Sequence, residues 1–362
     1  MGTPTALHAA TRAAGATFTE LLQCDLPETF GDREAEYRAI REGAALLDLG
    51  HRGLLRVTGT DRGTWLHGMV TNAVQDLPPG SGCAAAVTTI QGRMVAEIAV
   101  SVHGDRLDLE CPAFVAEDTR AHLERYLISE DAELTDVSAA TAHLALQGPA
   151  AEQVLTALGA SPPSGAAHRH ADGTLAGRPV TLLRRDETGA DGWVLRLDRA
   201  GAEAVWTALR EGGATPVGVQ AWTRARIAAG IPWFGIDHGP ETIPLELPHR
   251  DALVSFEKGC YLGQEVVARL EHLGTPARRL VGLRVEARTA PAPGSPVTHA
   301  ETPVGAVTSA AAAPAGPAIA LAFLSKGAYD PGTAVRVASG AEAVPATVVP
   351  LPFPCLEAPP PP

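Results

Sequence analysis

Apolar positions recur at helical spacing in only a few stretches of this chain, and short apolar runs cut by turn residues fill most of the rest. Asp32 stands before a helical pattern through Glu34, Tyr37 and Ile40 that stops at Gly43, which predicts an N-capped helix. Leu54-Leu55-Arg56-Val57 reads as a strand, and Asp61 is placed to cap a short helix carrying Trp65 and Leu66. From Cys83 to Glu110, strand-like runs turn at Gln91-Gly92 and at His103-Gly104-Asp105, the pattern of an antiparallel meander. Pro112 then precedes Val115, His122, Leu123, Tyr126 and Leu127 at roughly helical spacing. A second block repeats this texture. It has strands at Leu144-Ala145-Leu146, 180–183 and 193–197, with helices after Pro149 and before Gly212-Gly213. The class expected is α+β.

Past Gly274-Thr275-Pro276 the helical spacing disappears. Runs at 280–285, 304–307, 319–323, 335–337 and 347–349, separated by Gly/Pro turns, predict a separate all-β barrel or sandwich. The organisation expected is a loosely ordered segment over 1–24, a region of two subdomains over 25–275, a C-terminal β-barrel over 276–352 and a Pro-rich tail over 353–362.

A length of 362 residues fits two or three domains, and 45% hydrophobic residues can bury a core without disulfides. A net charge of −12 leaves no basic field for a phosphate backbone, which excludes nucleic acid as a partner. The five cysteines are far apart with no C-x-x-C, against a secreted disulfide framework or a zinc site. No apolar run approaches the roughly 18 residues of a membrane span, and the first residues lack a signal peptide's apolar core. The compartment expected is the cytoplasm. His168-Arg169-His170 has no carboxylates near it in sequence and reads as a polar loop, so no metal site is expected.

The densest set of reactive residue types is Lys258-Gly259-Cys260-Tyr261-Leu262-Gly263-Gln264-Glu265. Two residues apart in an extended stretch, Lys258 and Cys260 would face the same side, and a cation beside a thiol favours the nucleophilic thiolate. Gly259 and Gly263 permit a tight turn and close approach of a ligand to backbone. The competing reading is a cysteine that merely fills space as a small hydrophobe. Asp191, in Thr188-Gly189-Ala190-Asp191-Gly192, is a candidate carboxylate for a ligand or simply part of a hairpin turn. Arg226 is a candidate for an anionic group, or a plain helix-face charge. No phosphate-binding loop, dinucleotide fingerprint or nucleophile elbow is present.

The segment from Lys258 to Glu265 resembles the K-G-C-Y-x-G-Q-E signature of YgfZ-type folate-binding proteins, members of the glycine cleavage T-protein (aminomethyltransferase) superfamily. Arg226 to Pro232 is similar to that group's R-I-E-A-G-I-P stretch. Thr71-Asn72 with Val74 and Leu77 is similar to T-N-x-V-x-x-L, and 188–192 to T-G-E-D-G. The resemblance covers about residues 32 to 350. It implies a core of two mixed α/β domains plus the barrel, around a central hole for tetrahydrofolate. It also implies transient work on iron–sulfur client enzymes or their assembly machinery. Cys260 and Lys258 would then be the working pair. Asp191, Arg226, Tyr261, Gly263, Gln264 and Glu265 would contact the folate.

Three positions depart from the pattern. Ala96 stands where T-proteins carry the first of two aspartates, and alanine can be neither acid nor base. Ala190 and Ala228 each replace a glutamate. The rival readings are a folate-dependent one-carbon transferase, acting on an aminomethyl or methyl donor, and a folate-sensing interaction protein without chemistry.

Overall fold

The computed structural model describes residues 2–312, 316–340 and 342–353. Cys355 and all of the Pro-rich segment beyond Phe353 lie outside them. Two compact units result, Met1–Trp222 with Asp251–Gln264 and Thr223–Arg250 with Glu265–Pro362.

The first unit opens with β1 (Thr3–Pro4), α1 (His8–Ala13), β2 (Thr17–Leu21) and β3 (Cys24–Thr29), then α2 (Arg33–Glu42), β4 (Ala45–Asp48) and β5 (Arg52–Thr58). It continues through α3 (Arg62–Met69), β6 (Ser81–Thr88), β7 (Met94–Val102), β8 (Leu107–Pro112), α4 (Ala116–Glu124) and β9 (Glu133–Asp136). β10 (Thr141–Gln147), α5 (Ala151–Ala157), β11 (His170–Leu175), β12 (Arg178–Arg184), β13 (Gly192–Asp198), α6 (Ala202–Glu211) and β14 (Thr215–Pro216) follow. One sheet has the order β6-β7-β8-β5-β9 and another the order β11-β12-β13-β10-β4-β14. α2 begins where the sequence places it, because the Asp32 carboxylate accepts from the Glu34 and Ala35 N–H groups and ends two orphan donors. Helices α7 (Val219–Ala228), α8 (Arg250–Leu253) and α9 (Gln264–Leu273) span the sequence boundaries of the units.

In the second unit β15 (Arg278–Val285), β16 (Pro296–His299), β17 (Thr302–Ala311), β18 (Ala318–Ser325), β19 (Ala334–Ser339) and β20 (Glu342–Val349) close into a barrel. Its interior is small and branched, with Leu283, Val297, Val307, Ala320, Ala322, Val337 and Val348 packed together. The α+β class with a terminal barrel is the observed fold. Among the described residues no helix is long and apolar enough to cross a membrane, and no group of His, Cys, Asp and Glu is placed to hold a metal ion.

Two local expectations need correction. Over residues 2–24 the chain is structured: β1 and β2 pair with β3 in a three-stranded sheet, with Leu7 and Thr11 buried. The Thr5 hydroxyl donates to Asp48 Oδ2 at 2.6 Å, fastening the segment to the end of β4. His168-Arg169-His170 is not all loop either. His170 starts β11 and is buried, its ring 4.5 Å from that of His103.

Asp48 gives this fastening a pH dependence. Burial raises its carboxyl from 3.8 to about 6, against the opposing hydrogen bonds of Thr5 and Gly50. With the folded pKa above the unfolded one, this group's contribution is full at low pH and is lost as pH climbs through about 6. Asp48→Asn keeps the shape without the charge. It is expected to raise stability at pH 8 by up to roughly 3 kcal/mol and at pH 4, just above the ordinary 3.8, by much less, as read from denaturant melts at both pH values. Equal effects at the two pH values would refute the assignment.

Candidate functional site

The segment Leu253–Gln264 is strung along two loops of the first unit by main-chain and side-chain bonds. Thr71 Oγ1 donates to Leu253 O at 2.6 Å, and Ser255 N–H donates to Thr71 O at 3.0 Å. Asn72 Nδ2 donates to both Ala84 O and Ala252 O at 2.8 Å. Leu262 N–H reaches Gly68 O at 3.1 Å, and Thr88 Oγ1 reaches Leu262 O at 2.6 Å. The Thr71-Asn72 pair and the Lys258–Glu265 segment, far apart in sequence, therefore make one structure. Gly263 fits because its φ is +85° and a Cβ there would lie 2.4 Å from Thr89 O. Gln264 and Glu265 open α9, where an acidic residue suits the positive end of a helix.

Lys258 plays a different part from the one expected. Its ammonium donates to the carbonyls of His67, Val70 (2.6 Å) and Asn72 (3.1 Å), closing the C-terminal end of α3. Its Nζ also lies 4.9 Å from the centre of the Tyr261 ring. Burial lowers the Lys258 pKa to about 8, and three carbonyl acceptors suit the protonated form at neutral pH. The thiol it influences is Cys83, which burial nevertheless pushes to about 12. Cys260 is exposed, while Lys258 is half-buried with its ammonium on the three carbonyls. Tyr261 is 7% exposed, and burial pushes its hydroxyl to about 12. Lys258 is a positioning residue that holds the loop, and Cys260 is the thiol the loop presents.

Two further candidates are engaged within the fold. The Asp191 carboxylate is 77% exposed and pairs with Arg184 Nη2 at 3.0 Å, so it belongs to a surface turn. Arg226 is buried in the second unit. Its Nη1 donates to Asp237 Oδ2 (2.7 Å) and Ile231 O (3.1 Å), its Nη2 to Ser309 Oγ (2.8 Å), and its guanidinium lies 4.5 Å from the Trp233 ring centre. It works as a structural pair with Asp237. Ala96 lies fully buried on β7, on the same strand face as Met94 and Ile98, whereas Glu97 is half-exposed on the opposite face.

Sequence reading missed a buried ionic network between the two larger sheets of this unit. Glu110 on β8 accepts from Arg185 Nη2 at 2.5 Å, with Arg52 Nη1 at 3.6 Å and His143 Nε2 at 3.6 Å. Glu187 joins it through Arg185 Nε (2.7 Å) and Arg52 Nη2 (3.1 Å). Burial would raise the Glu110 carboxyl, yet Arg185, His143 and Arg52 hold it well below the usual carboxylate range. Cross-strand pairing gave no signal for it, since Leu54 stands opposite Glu110 and Pro112 opposite Arg52.

Comparison with known proteins bears on this arrangement. Residues 7–258 match the GCVT N-terminal domain, and residues 278–354 match the glycine cleavage T-protein C-terminal barrel domain. An aminomethyltransferase of Streptomyces avermitilis is 32% identical over 364 residues, covering 96% of each chain. One of Saccharopolyspora erythraea is 33% identical over 362 residues, covering 96% of this chain and 97% of that protein. The crystal structure of glycine cleavage system aminomethyltransferase T from Bartonella henselae superposes with a TM-score of 0.90 over 98% of both chains, at 23% identity, a likeness of fold alone. These relatives favour the one-carbon transferase reading and lend no support to an iron–sulfur role. Matched along nearly its whole length, and with its two most separated motifs joined at one loop, the chain belongs to the glycine cleavage T-protein family, that of the tetrahydrofolate-dependent aminomethyltransferases.

Proposed function

We propose that this chain binds a reduced folate, tetrahydrofolate, and moves a one-carbon unit, aminomethyl or methyl, on it. The observation that carries the reading is full-length likeness to aminomethyltransferases, combined with a signature loop held in place by Lys258 and Thr71-Asn72. Tetrahydrofolate would supply the nucleophilic nitrogen that accepts the carbon. The protein's own part is to orient the ring, exclude water and manage protons. Tyr261, Gly263 and Gln264 give a rigid loop edge for such a ring.

A second reading is favoured by two specific features. Ala96 provides no acid or base, and Cys260 is exposed at the tip of an otherwise anchored loop. Loss of a positioned acid–base group commonly costs about 10²–10⁴-fold in rate. On this reading the chain is a YgfZ-type cytosolic protein that keeps the folate site. Its Cys260 thiol serves iron–sulfur client enzymes through transient contacts.

One paired experiment separates the readings. Aminomethyl transfer from a lipoylated carrier is measured in a reconstituted assay, and Cys260→Ala is tested for rescue of iron–sulfur enzyme activity in cells lacking the protein. Transfer at ordinary enzyme rates with Cys260→Ala fully active supports the transferase. Transfer reduced by about 10²–10⁴-fold together with failed rescue supports the thiol role. Slow transfer with complete rescue by Cys260→Ala rules out both kinds of chemistry and leaves folate sensing.

A further inference from the structure

Away from the signature loop, the first unit contains a cavity of about 340 Å³ lined by residues of β5, β8 and β10–β13. Arg56, Arg106 and Arg196 all line it, and all three converge on the one buried carboxylate of Asp108. Arg56 Nε meets Asp108 Oδ1 at 2.9 Å. Arg196 Nη2 and Arg106 Nε meet Oδ2 at 3.0 and 3.3 Å, where His103 Nε2 also lies at 3.3 Å. Burial would raise Asp108, yet His103, Arg196 and Arg56 hold it well below the usual range, so it stays a carboxylate.

Asp108 faces three guanidiniums. A second buried carboxylate, Glu110, also acts on Arg196, but it is engaged by Arg185 and Arg52. The remaining carboxylates nearby are on the water side. Asp172 is 66% exposed and takes the Thr181 hydroxyl at 2.6 Å, Asp198 is exposed, and Asp105 is 79% exposed against Arg106. Solvent screens such carboxylates, and it also reaches Arg56 and Arg106, 36% and 24% exposed, so Arg196 is the one buried guanidinium of the three. Arg196 is only 4% exposed, and its Nη1 is buried without a hydrogen-bond partner among the described residues. A charged donor left unpaired in the interior is costly, and a ligand oxygen would satisfy it.

We propose that this cavity is a site for a multiply charged oxyanion, the phosphoryl or polycarboxylate group of a small metabolite, gripped by Arg56, Arg106 and Arg196. The planar fork of arginine suits tetrahedral and carboxylate oxygens alike. The volume, at the small end of ligand pockets, leaves room for an organic group attached to the anion. The site shares no residue with the signature loop and stands apart from the one-carbon reading.

The test uses the full chain titrated calorimetrically with pyrophosphate, citrate and, at matched ionic strength, chloride. Pyrophosphate or citrate is expected to bind saturably and raise the melting temperature where chloride does not, the stronger of the two naming the chemical source. Arg106→Gln and Arg56→Gln, checked for fold by circular dichroism, should each weaken that binding by about tenfold. No effect beyond chloride, or undiminished affinity in both folded variants, refutes the proposal. Wild-type crystals soaked in pyrophosphate decide the matter without any variant. Density among the three guanidiniums supports the site, and density elsewhere or none refutes it.

Discussion

Asp237→Ala is expected to cost on the order of 3–5 kcal/mol of stability, the price of leaving the Arg226 charge buried without its partner. Arg226 and Asp237 side chains are 1% and 0% exposed, so water cannot replace what is removed. Asp237 also accepts from the Trp233 N–H at 2.9 Å and the Thr308 hydroxyl at 2.7 Å, tying the stretch after α7 to barrel strand β17. Burial would raise the Asp237 carboxyl, but Arg226 and these donors lower it, so it is charged across the neutral range. A double-mutant cycle with Arg226→Met separates the pair from the rest. The double variant is expected to be less damaged than the sum of the singles, because it carries no orphaned charge. A loss below about 1 kcal/mol for Asp237→Ala, in the range of exposed pairs, would refute the structural role given to Arg226.

Glu110→Ala is expected to have an effect of similar size and a distinctive pH dependence. It removes the carboxylate between Arg185, Arg52 and His143, leaving Glu187 alone to balance two guanidiniums, which should cost on the order of 3 kcal/mol. The Glu110 pKa is depressed in the fold, so its contribution is present above the ordinary 4.5 and is lost as pH falls below it. Wild type should therefore lose stability steeply below pH 4.5, and the variant more gently. Urea melts at pH 7 and pH 3.5 read this directly. Parallel pH curves for the two proteins would show that Glu110 is not the group responsible.

These two networks mark where sequence reading stops. The Arg33–Glu42 helix, the β6–β8 meander and five of the six barrel strands were legible because local rules suffice for them: a capping aspartate, period-two alternation and Gly/Pro turns. Strand Pro296–His299 was missed, being short and lacking a long apolar run. Glu110 and Asp108 alternate with Leu107, Leu109 and Cys111, a pattern that says one face is wet. A second sheet covers that face, and no local rule reports a sheet built from residues far along the chain. The same limit applies to the site. The signature loop could be located by its residue types, but Lys258 turns toward the end of α3 because three carbonyls await it there. Asp191 and Arg226 were sensible candidates by type, and their partners Arg184 and Asp237 become visible only when the chain is folded.

The central claim is that this member of the T-protein family is a reduced-folate protein. The direct measurement is titration of the intact chain with tetrahydrofolate under reducing conditions, followed by calorimetry and by thermal melting. Saturable binding heat is expected, with stabilisation of about 2.7 kcal/mol when the ligand stands at about 100 times its dissociation constant. Absence of binding heat together with an unchanged melting temperature at saturating tetrahydrofolate would contradict the account.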